Sequence, residues 1–251
     1  MQAKGKDLDH RKSVEGERGL AEFSFDYCFP GDEIGYKLTI LVGSERATGM
    51  TMATVVPAKG SKGKFTADKV LEYLAECGNQ FGDTIVKTDQ EPAIKCLVKD
   101  LVLERGEELG SKTVVEESPV GSKGNNGLAE RAVQEVEGQL RVMKLALEGR
   151  IGKEIDAEAC VVTFMAEYAS FLLDRLMVGK DGKTAYERNK GKKATALGLE
   201  FREKVLFKRK AKAKMDKIDA RWDYGNYVGV RGQEWRAVDC DCWRGGESTV
   251  S

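Results

Sequence analysis

The hydrophobic period changes partway along this chain, and that change limits what it can fold into. Over residues 20–29 apolar and polar positions alternate: Phe23, Phe25, Tyr27 and Phe29 face one way, and Ser24, Asp26 and Cys28 the other. A turn at Pro30-Gly31-Asp32 closes this strand. Tyr36 to Val42 and Gly49 to Val56 are two further runs rich in β-formers, the second ended by Pro57. Three consecutive strands predict an antiparallel meander. After the Gly/Lys/Ser loop at 58–64 the spacing becomes helical, with Ala67, Val70, Leu71, Leu74 and Ala75 on one stripe and Thr66 as N-cap.

From there helices and strands alternate. Thr84 to Asp89 reads as a short strand, and Glu91-Pro92 opens a helix with the stripe Ile94, Leu97, Val98 and Leu101. A charged, Gly-containing loop is expected at 105–112 and a strand at 113–117. The segment 118–127 (SPVGSKGNNG) has no period and reads as a loop. Leu128 to about Glu148 and 157–178 are helices, the second apolar around most of its circumference. The pattern predicts a mixed α/β layer with helices on both faces.

Composition shifts after Gly179. Val205 to Phe207, Tyr224 to Val230 and Glu234 to Val238 read as strands of a small β module, with Trp222, Tyr224, Tyr227 and Trp235 expected to fill its core rather than stack on bases. The organisation is therefore a polar leader (1–19), a core (20–180) and a basic C-terminal module (181–251). The formal net charge of zero is a cancellation: residues 20–150 carry 16 basic and 21 acidic groups, residues 181–231 carry 15 and 7.

The residue inventory excludes some chemistry. His10 is the only histidine and lies in the polar leader, so a two-His zinc finger is impossible and histidine-based hydrolysis would rest on that one residue. Cys28, Cys77, Cys96 and Cys160 lie far apart in apolar contexts, and no Cys-x-x-Cys pair occurs. They read as buried reduced thiols of an intracellular protein. The leader has no apolar core, so it does not read as a secretory signal, and no apolar run reaches the roughly 18 residues of a membrane span.

Three carboxylates stand out. Asp26 sits mid-strand among four aromatics, Asp89 ends a strand directly before a helix, and Glu130 lies in the first turns of a helix behind the Gly/Asn loop. Glu130 falls roughly 100° from the centre of its helix's apolar stripe, at the edge of the buried face. Read alone, Asp89 also serves as a helix cap and Glu130 as an edge charge; Asp26 has no such structural role. Converging carboxylates repel one another and are costly to bury unless paired or metal-bound. Hard oxygen ligands suit Mg²⁺ or Mn²⁺, and two such ions would polarise a phosphodiester.

The ordered set resembles the catalytic core of retroviral and retrotransposon (copia-like) integrases, in the ribonuclease H-like superfamily. The residues that carry the resemblance are FSFDY around Asp26, VKTDQEPAI around Asp89 and SPVGSKGNNGLAERAVQEVEGQLR around Glu130, including Asn126-Gly127-Leu128-Ala129-Glu130-Arg131. Downstream, Thr184-Ala185-Tyr186-Glu187-Arg188 resembles the Thr-Pro-Tyr-Glu segment that follows copia-type cores, and KVLFKRKAKAKMDKIDARWDYGNYVGV the small barrel-like module beyond. Two departures occur. Forty residues separate Asp89 from Glu130 where family members have about 35, an excess assigned to the 105–112 loop, and Gln90-Glu91 stand where Asn-Gly is common.

The resemblance implies a ribonuclease H-like mixed five-stranded sheet flanked by helices, followed by a small, basic, mostly-β, SH3-like module. It implies a DDE-type enzyme that trims the 3′ ends of element DNA and joins them to target DNA, as a homo-oligomer on DNA with no membrane partner and a nuclear location. Asp26, Asp89 and Glu130 would be the catalytic residues and the ligands of two Mg²⁺ or Mn²⁺ ions, with no zinc. Lys123 and Asn126 would touch DNA ends. Lys208, Arg209, Lys210, Lys212 and Lys214 would contact phosphates, with edge-strand protection and a nuclear-import signal as other readings of that run. Two alternatives remain at this level: a degenerate or domesticated integrase-like DNA-binding protein, and a ribonuclease H-like nuclease.

Overall fold

The computed structural model describes residues 19–29, 38–60, 64–89, 91–117, 126–156, 159–195, 198–208, 221–231 and 234–238, with backbone alone at 107–109, 231 and 234–238. The strands β1 (Ala21–Cys28), β2 (Thr39–Glu45) and β3 (Thr51–Val56) form the antiparallel meander. Helix α1 (Lys64–Glu76) leads to β4 (Thr84–Thr88), α2 (Pro92–Leu109) to β5 (Thr113–Glu117), and α3 (Gly127–Ile151), α4 (Cys160–Leu176) and the short α5 (Ala185–Lys190) follow. β4 joins β1 in parallel and β5 joins β4 in parallel, so the sheet order is β3-β2-β1-β4-β5. That order, with these directions and helices on both faces, is the ribonuclease H-like core.

The alternation of β1 divides the interior in two. Phe23, Phe25 and Tyr27 enter one cluster with Val70, Tyr73 and Leu74 of α1 and Ile94, Leu97 and Leu101 of α2. Cys28 enters the other, with Val136, Leu140 and Met143 of α3 and Val161, Met165 and Ala169 of α4. Asp26, between Tyr27 and Phe25, therefore faces the α3–α4 side. Gly43 of β2 lies opposite Phe25, and a Cβ there would meet the Phe25 ring at 2.5 Å.

The sequence expectation fails at 105–112. α2 continues to Leu109 and ends on Gly110, whose φ of 63° only glycine adopts without strain. Arg105 is the reason: fully buried, its guanidinium donates to Thr113 Oγ1 at 3.1 Å, to the Asn79 carbonyl at 3.2 Å, and to Thr84 Oγ1 and the Gly82 carbonyl. Residues 105–109, expected in a loop, thus belong to a helix. The thiols also divide: Cys28 and Cys77 are buried as expected, but Cys96 and Cys160 are exposed, and none of these four is in a disulfide.

The Thr184–Arg188 motif proves to be structural. Thr184 Oγ1 accepts from the Glu187 N–H at 3.1 Å and Glu187 Oε2 accepts from the Thr184 N–H at 2.7 Å, a capping box that starts α5. Arg188 Nη1 then donates to the Thr48 carbonyl at 2.9 Å, tying α5 to the β2–β3 turn.

The strands β6 (Lys204–Lys208), β7 (Trp222–Arg231) and β8 (Glu234–Val238) make a second, antiparallel sheet of order β6-β7-β8. Its inner face docks on α4: Tyr227 meets Tyr168 edge-on at 5.7 Å, and Tyr168 packs closely against Gly229. Tyr227 is buried as expected, but Trp222 and Tyr224 are 58% and 55% exposed and do not fill a core. They point from the face opposite the one α4 covers. The side chain of Trp235 lies outside the described residues. Among the described residues, no helix is long and apolar enough to cross a membrane.

Candidate active site

The site begins with strand register. β1 and β4 pair in parallel from Ala21↔Thr84 to Ser24↔Lys87. Two residues further along each chain stand Asp26 and Asp89. Both therefore come to the same end of the central strand pair and, by strand periodicity, the same face. Parallel neighbours lie roughly 4.8 Å apart, so two carboxylates there must meet.

Each is held by a local backbone donor. The Tyr27 N–H donates to Asp26 Oδ1 at 2.7 Å, and the Glu91 N–H donates to Asp89 Oδ1 at 3.0 Å. The second bond exists because the chain turns at Glu91, the N-cap of α2, before Pro92 enters the helix. Asp26, Asp89 and Glu91, all half-buried, each place a carboxylate oxygen within 4.8 Å of the others. Burial pushes the Asp26 carboxyl above its ordinary value; the charges of Asp89, Glu91 and Glu130 push the same way, and the Tyr27 N–H opposes them.

Glu130 lies in the first turn of α3 and is exposed. It is outside the three-carboxylate cluster, yet near enough for its charge to act on Asp26. Glu91 occupies the third place. In the sequence Glu91 marks a helix start and a departure from Asn-Gly, with no acidic-centre role assigned to it. An acid at the residue before a helix-opening Pro, two positions past the strand-end Asp89, was the available signal.

A cation already neighbours the cluster. Lys59 Nζ is paired with Glu91 Oε1 and sits 4.6 Å from the centre of the Phe29 ring and 5.6 Å from that of Tyr27. The Tyr27 hydroxyl accepts from the Gly60 N–H at 3.0 Å, which fixes the loop that carries Lys59.

The expected DNA contacts divide by position. Asn126 directly precedes α3 and is 6% exposed; its carbonyl accepts from the Glu130 N–H at 3.0 Å, and its buried Oδ1 has no partner among the described residues. Lys208 is exposed at the end of β6, opposite Trp222. Lys123, Arg209, Lys210, Lys212 and Lys214 lie outside the described residues.

The class defined here is a ribonuclease H-like core with an acidic centre at the end of its β1–β4 pair. No family model matches the chain, and no curated protein matches it. Among solved structures it is similar to the catalytic core domain of HTLV-2 integrase in complex with magnesium, at 17% identity and a TM-score of 0.48 over 67% of this chain and 95% of that one. It is similar to the catalytic core domain of BIV integrase, at 17% identity and a TM-score of 0.45 over 68% of this chain and 93% of that one. It is also similar to a simian T-cell lymphotropic virus intasome in complex with PP2A regulatory subunit B56 gamma, at 13% identity and a TM-score of 0.48 over 87% of this chain and 75% of that one.

Proposed function

We propose that this chain is an integrase-type polynucleotidyl transferase that trims DNA 3′ ends and joins them to target DNA. The observation that carries the reading is the convergence of Asp26 and Asp89 at one end of the β1–β4 pair, with a third carboxylate beside them. The donor set fits a divalent metal. It offers only hard oxygens, and like charges this close favour either a proton or a cation between them.

Asp26 and Asp89 would hold Mg²⁺ or Mn²⁺, one ion or two, with Glu91 or Glu130 completing the set. Such an ion would polarise a phosphodiester and lower the pKa of an attacking hydroxyl. The chain's own residues prepare the place. The Tyr27 and Glu91 N–H groups aim one oxygen of each aspartate, which leaves the other oxygen free to point elsewhere. Lys59 offsets the charge of Glu91. Asn126 and Lys123, at the entry to α3, are proposed to meet the DNA end, and Lys208, Arg209, Lys210, Lys212 and Lys214 the phosphates beyond it.

In this reading the core spans 20–180 and the basic module 181–251. The protein works as a homo-oligomer on DNA, in the nucleus. One observation favours a second reading. Glu130 stands outside the cluster, as it would in a degenerate integrase-like protein that only binds DNA.

A joining assay separates the two. Purified protein is incubated with a labelled terminal-repeat oligonucleotide, a plasmid target and Mg²⁺ or Mn²⁺, beside Asp26→Asn and Glu130→Gln. Metal-dependent joining by the wild type, lost in both variants, supports the enzyme. Intact DNA binding with no joining supports the DNA-binding relic.

A further inference from the structure

The outer face of the second sheet carries a feature that neither the core nor the acidic centre uses. β6 and β7 pair Lys204↔Asn226, Leu206↔Tyr224 and Lys208↔Trp222. Every second residue of β6 from Lys204, and of β7 from Trp222 to Tyr224, therefore falls on one face. On that face Lys204, Leu206, Lys208, Trp222 and Tyr224 are all exposed. The opposite face is already occupied: Val205 packs against the α3–α4 cluster and Tyr227 against Tyr168. Trp222 and Tyr224 thus contribute little to holding the sheet in place.

Two open aromatic rings on one strand beside two lysines on the next have a definite chemistry. A ring's flat face takes another flat π-system, and an ammonium beside it takes an anion. Lys204 Nζ already lies 4.4 Å from the centre of the Tyr224 ring, so charge and ring belong to one surface. Trp222 and Tyr224 are two residues apart on one strand, hence about 6.8 Å apart along it. That is close to the distance between successive nucleotides of an extended single strand. A duplex keeps its base faces stacked inside and presents only edges, so it cannot use the rings.

We propose that the outer face of β6–β7 is a binding site for single-stranded DNA, in which Trp222 and Tyr224 stack on successive unpaired bases while Lys204 and Lys208 pair with the phosphates between them. Leu206, opposite Tyr224, supplies apolar floor between the two lysines. The choice of DNA over RNA rests on the function proposed above; the stacking surface itself does not.

The test is fluorescence anisotropy of dye-labelled oligothymidine, oligouridine and a blunt duplex, in EDTA so that the acidic centre plays no part. Trp222→Leu and Tyr224→Leu keep apolar bulk on the exposed strand but remove the ring, and Trp222→Phe keeps a ring. Each leucine variant should weaken oligothymidine binding about tenfold and leave duplex binding within about twofold, with Trp222→Phe close to wild type. Lys208→Ala should weaken both ligands and lower the salt slope by about one. Phe81→Leu, at a still more exposed ring elsewhere, should change nothing.

Wild-type affinity for oligothymidine in Trp222→Leu and Tyr224→Leu would overturn the site. So would equal loss for duplex, or no binding of single strands by the wild type. Tighter binding of oligouridine than of oligothymidine would overturn the assignment to DNA. Because metal is absent throughout, failure here leaves the carboxylate reading standing, and failure of Asp26→Asn to affect joining leaves this site standing.

Discussion

Asp26 and Asp89 stand two residues beyond the last pair of the β1–β4 ladder, Ser24↔Lys87, and so share one level of the sheet. Residues separated by 62 others are brought together by parallel pairing alone. Each then has one oxygen fixed by a backbone N–H, Tyr27 for one and Glu91 for the other. The remaining charge has to be met by a proton, by Lys59 through Glu91, or by a metal.

Glu91 makes the first prediction. Because its carboxylate lies in the cluster and that of Glu130 does not, Glu91→Gln should weaken Mn²⁺ binding to the DNA-free protein about tenfold. Glu130→Gln should weaken it less. Titration of Mn²⁺ followed by electron paramagnetic resonance reads both. The reverse order would place Glu130, not Glu91, with the aspartates.

Asp174 makes a pH prediction far from that site. It is buried in α4, accepts from the Thr51 N–H at 2.8 Å, and burial pushes its carboxyl well above the ordinary 3.8. Between that value and the folded one the native state binds more protons than the unfolded chain, so stability falls as pH rises, by at most about 1.4 kcal/mol per pH unit. Asp174→Asn keeps an acceptor for Thr51 and cannot ionise. Urea unfolding from pH 4 to pH 8 should show the variant gaining on the wild type as pH rises. A constant difference would refute it.

Arg105 should matter more than its surface-type chemistry suggests. Its fully buried guanidinium serves Thr84, Thr113 and the carbonyls of Asn79 and Gly82, joining α2 to the starts of β4 and β5. Arg105→Leu removes all four bonds and leaves buried acceptors unpaired, at a cost of about 2–4 kcal/mol. Denaturant midpoints would report it, and a loss below about 0.5 kcal/mol would show the clamp to be incidental.

Gly43 tests the packing of β1. A methyl at its Cα would sit 2.5 Å from Phe25 Cε1 and 2.9 Å from Met52 Cγ. Gly43→Ala should therefore destabilise by about 1–3 kcal/mol despite its favourable effect on strand backbone entropy. Equal or higher thermal stability would mean that the Phe25 ring moves aside freely.

How much was legible in the sequence depended on the range of the interaction. The alternation Phe23, Phe25, Tyr27 named one face of β1 correctly because strand periodicity is local. Asp26 was legible because it sits mid-strand with no structural role, and Asp89 because of its order relative to Asp26 and Glu130, since alone it also reads as a helix cap. Arg105 was misread because its partners, Asn79, Gly82, Thr84 and Thr113, come from three other segments; in sequence it resembled the charges around it. Glu91 was passed over because its proximity to Asp26 appears only after β1 and β4 are side by side. Trp222 and Tyr224 were assigned to a core on residue type, whereas strand parity relative to Tyr227 puts them on the opposite side. The Thr184–Arg188 motif was legible by its resemblance, but of its physical content, a capping box and an arginine tie to Thr48, the tie depends on a partner 140 residues away.

In the function proposed above, the Asp26–Asp89 pair holds a divalent cation. Mn²⁺ binding to the purified protein at neutral pH, followed by electron paramagnetic resonance or calorimetry, tests it without any DNA. Wild-type protein should bind Mn²⁺ at this centre, and Asp26→Asn/Asp89→Asn should lose that binding while keeping its fold and gaining thermal stability from the removed repulsion. Mn²⁺ bound equally well by the double variant would contradict the account.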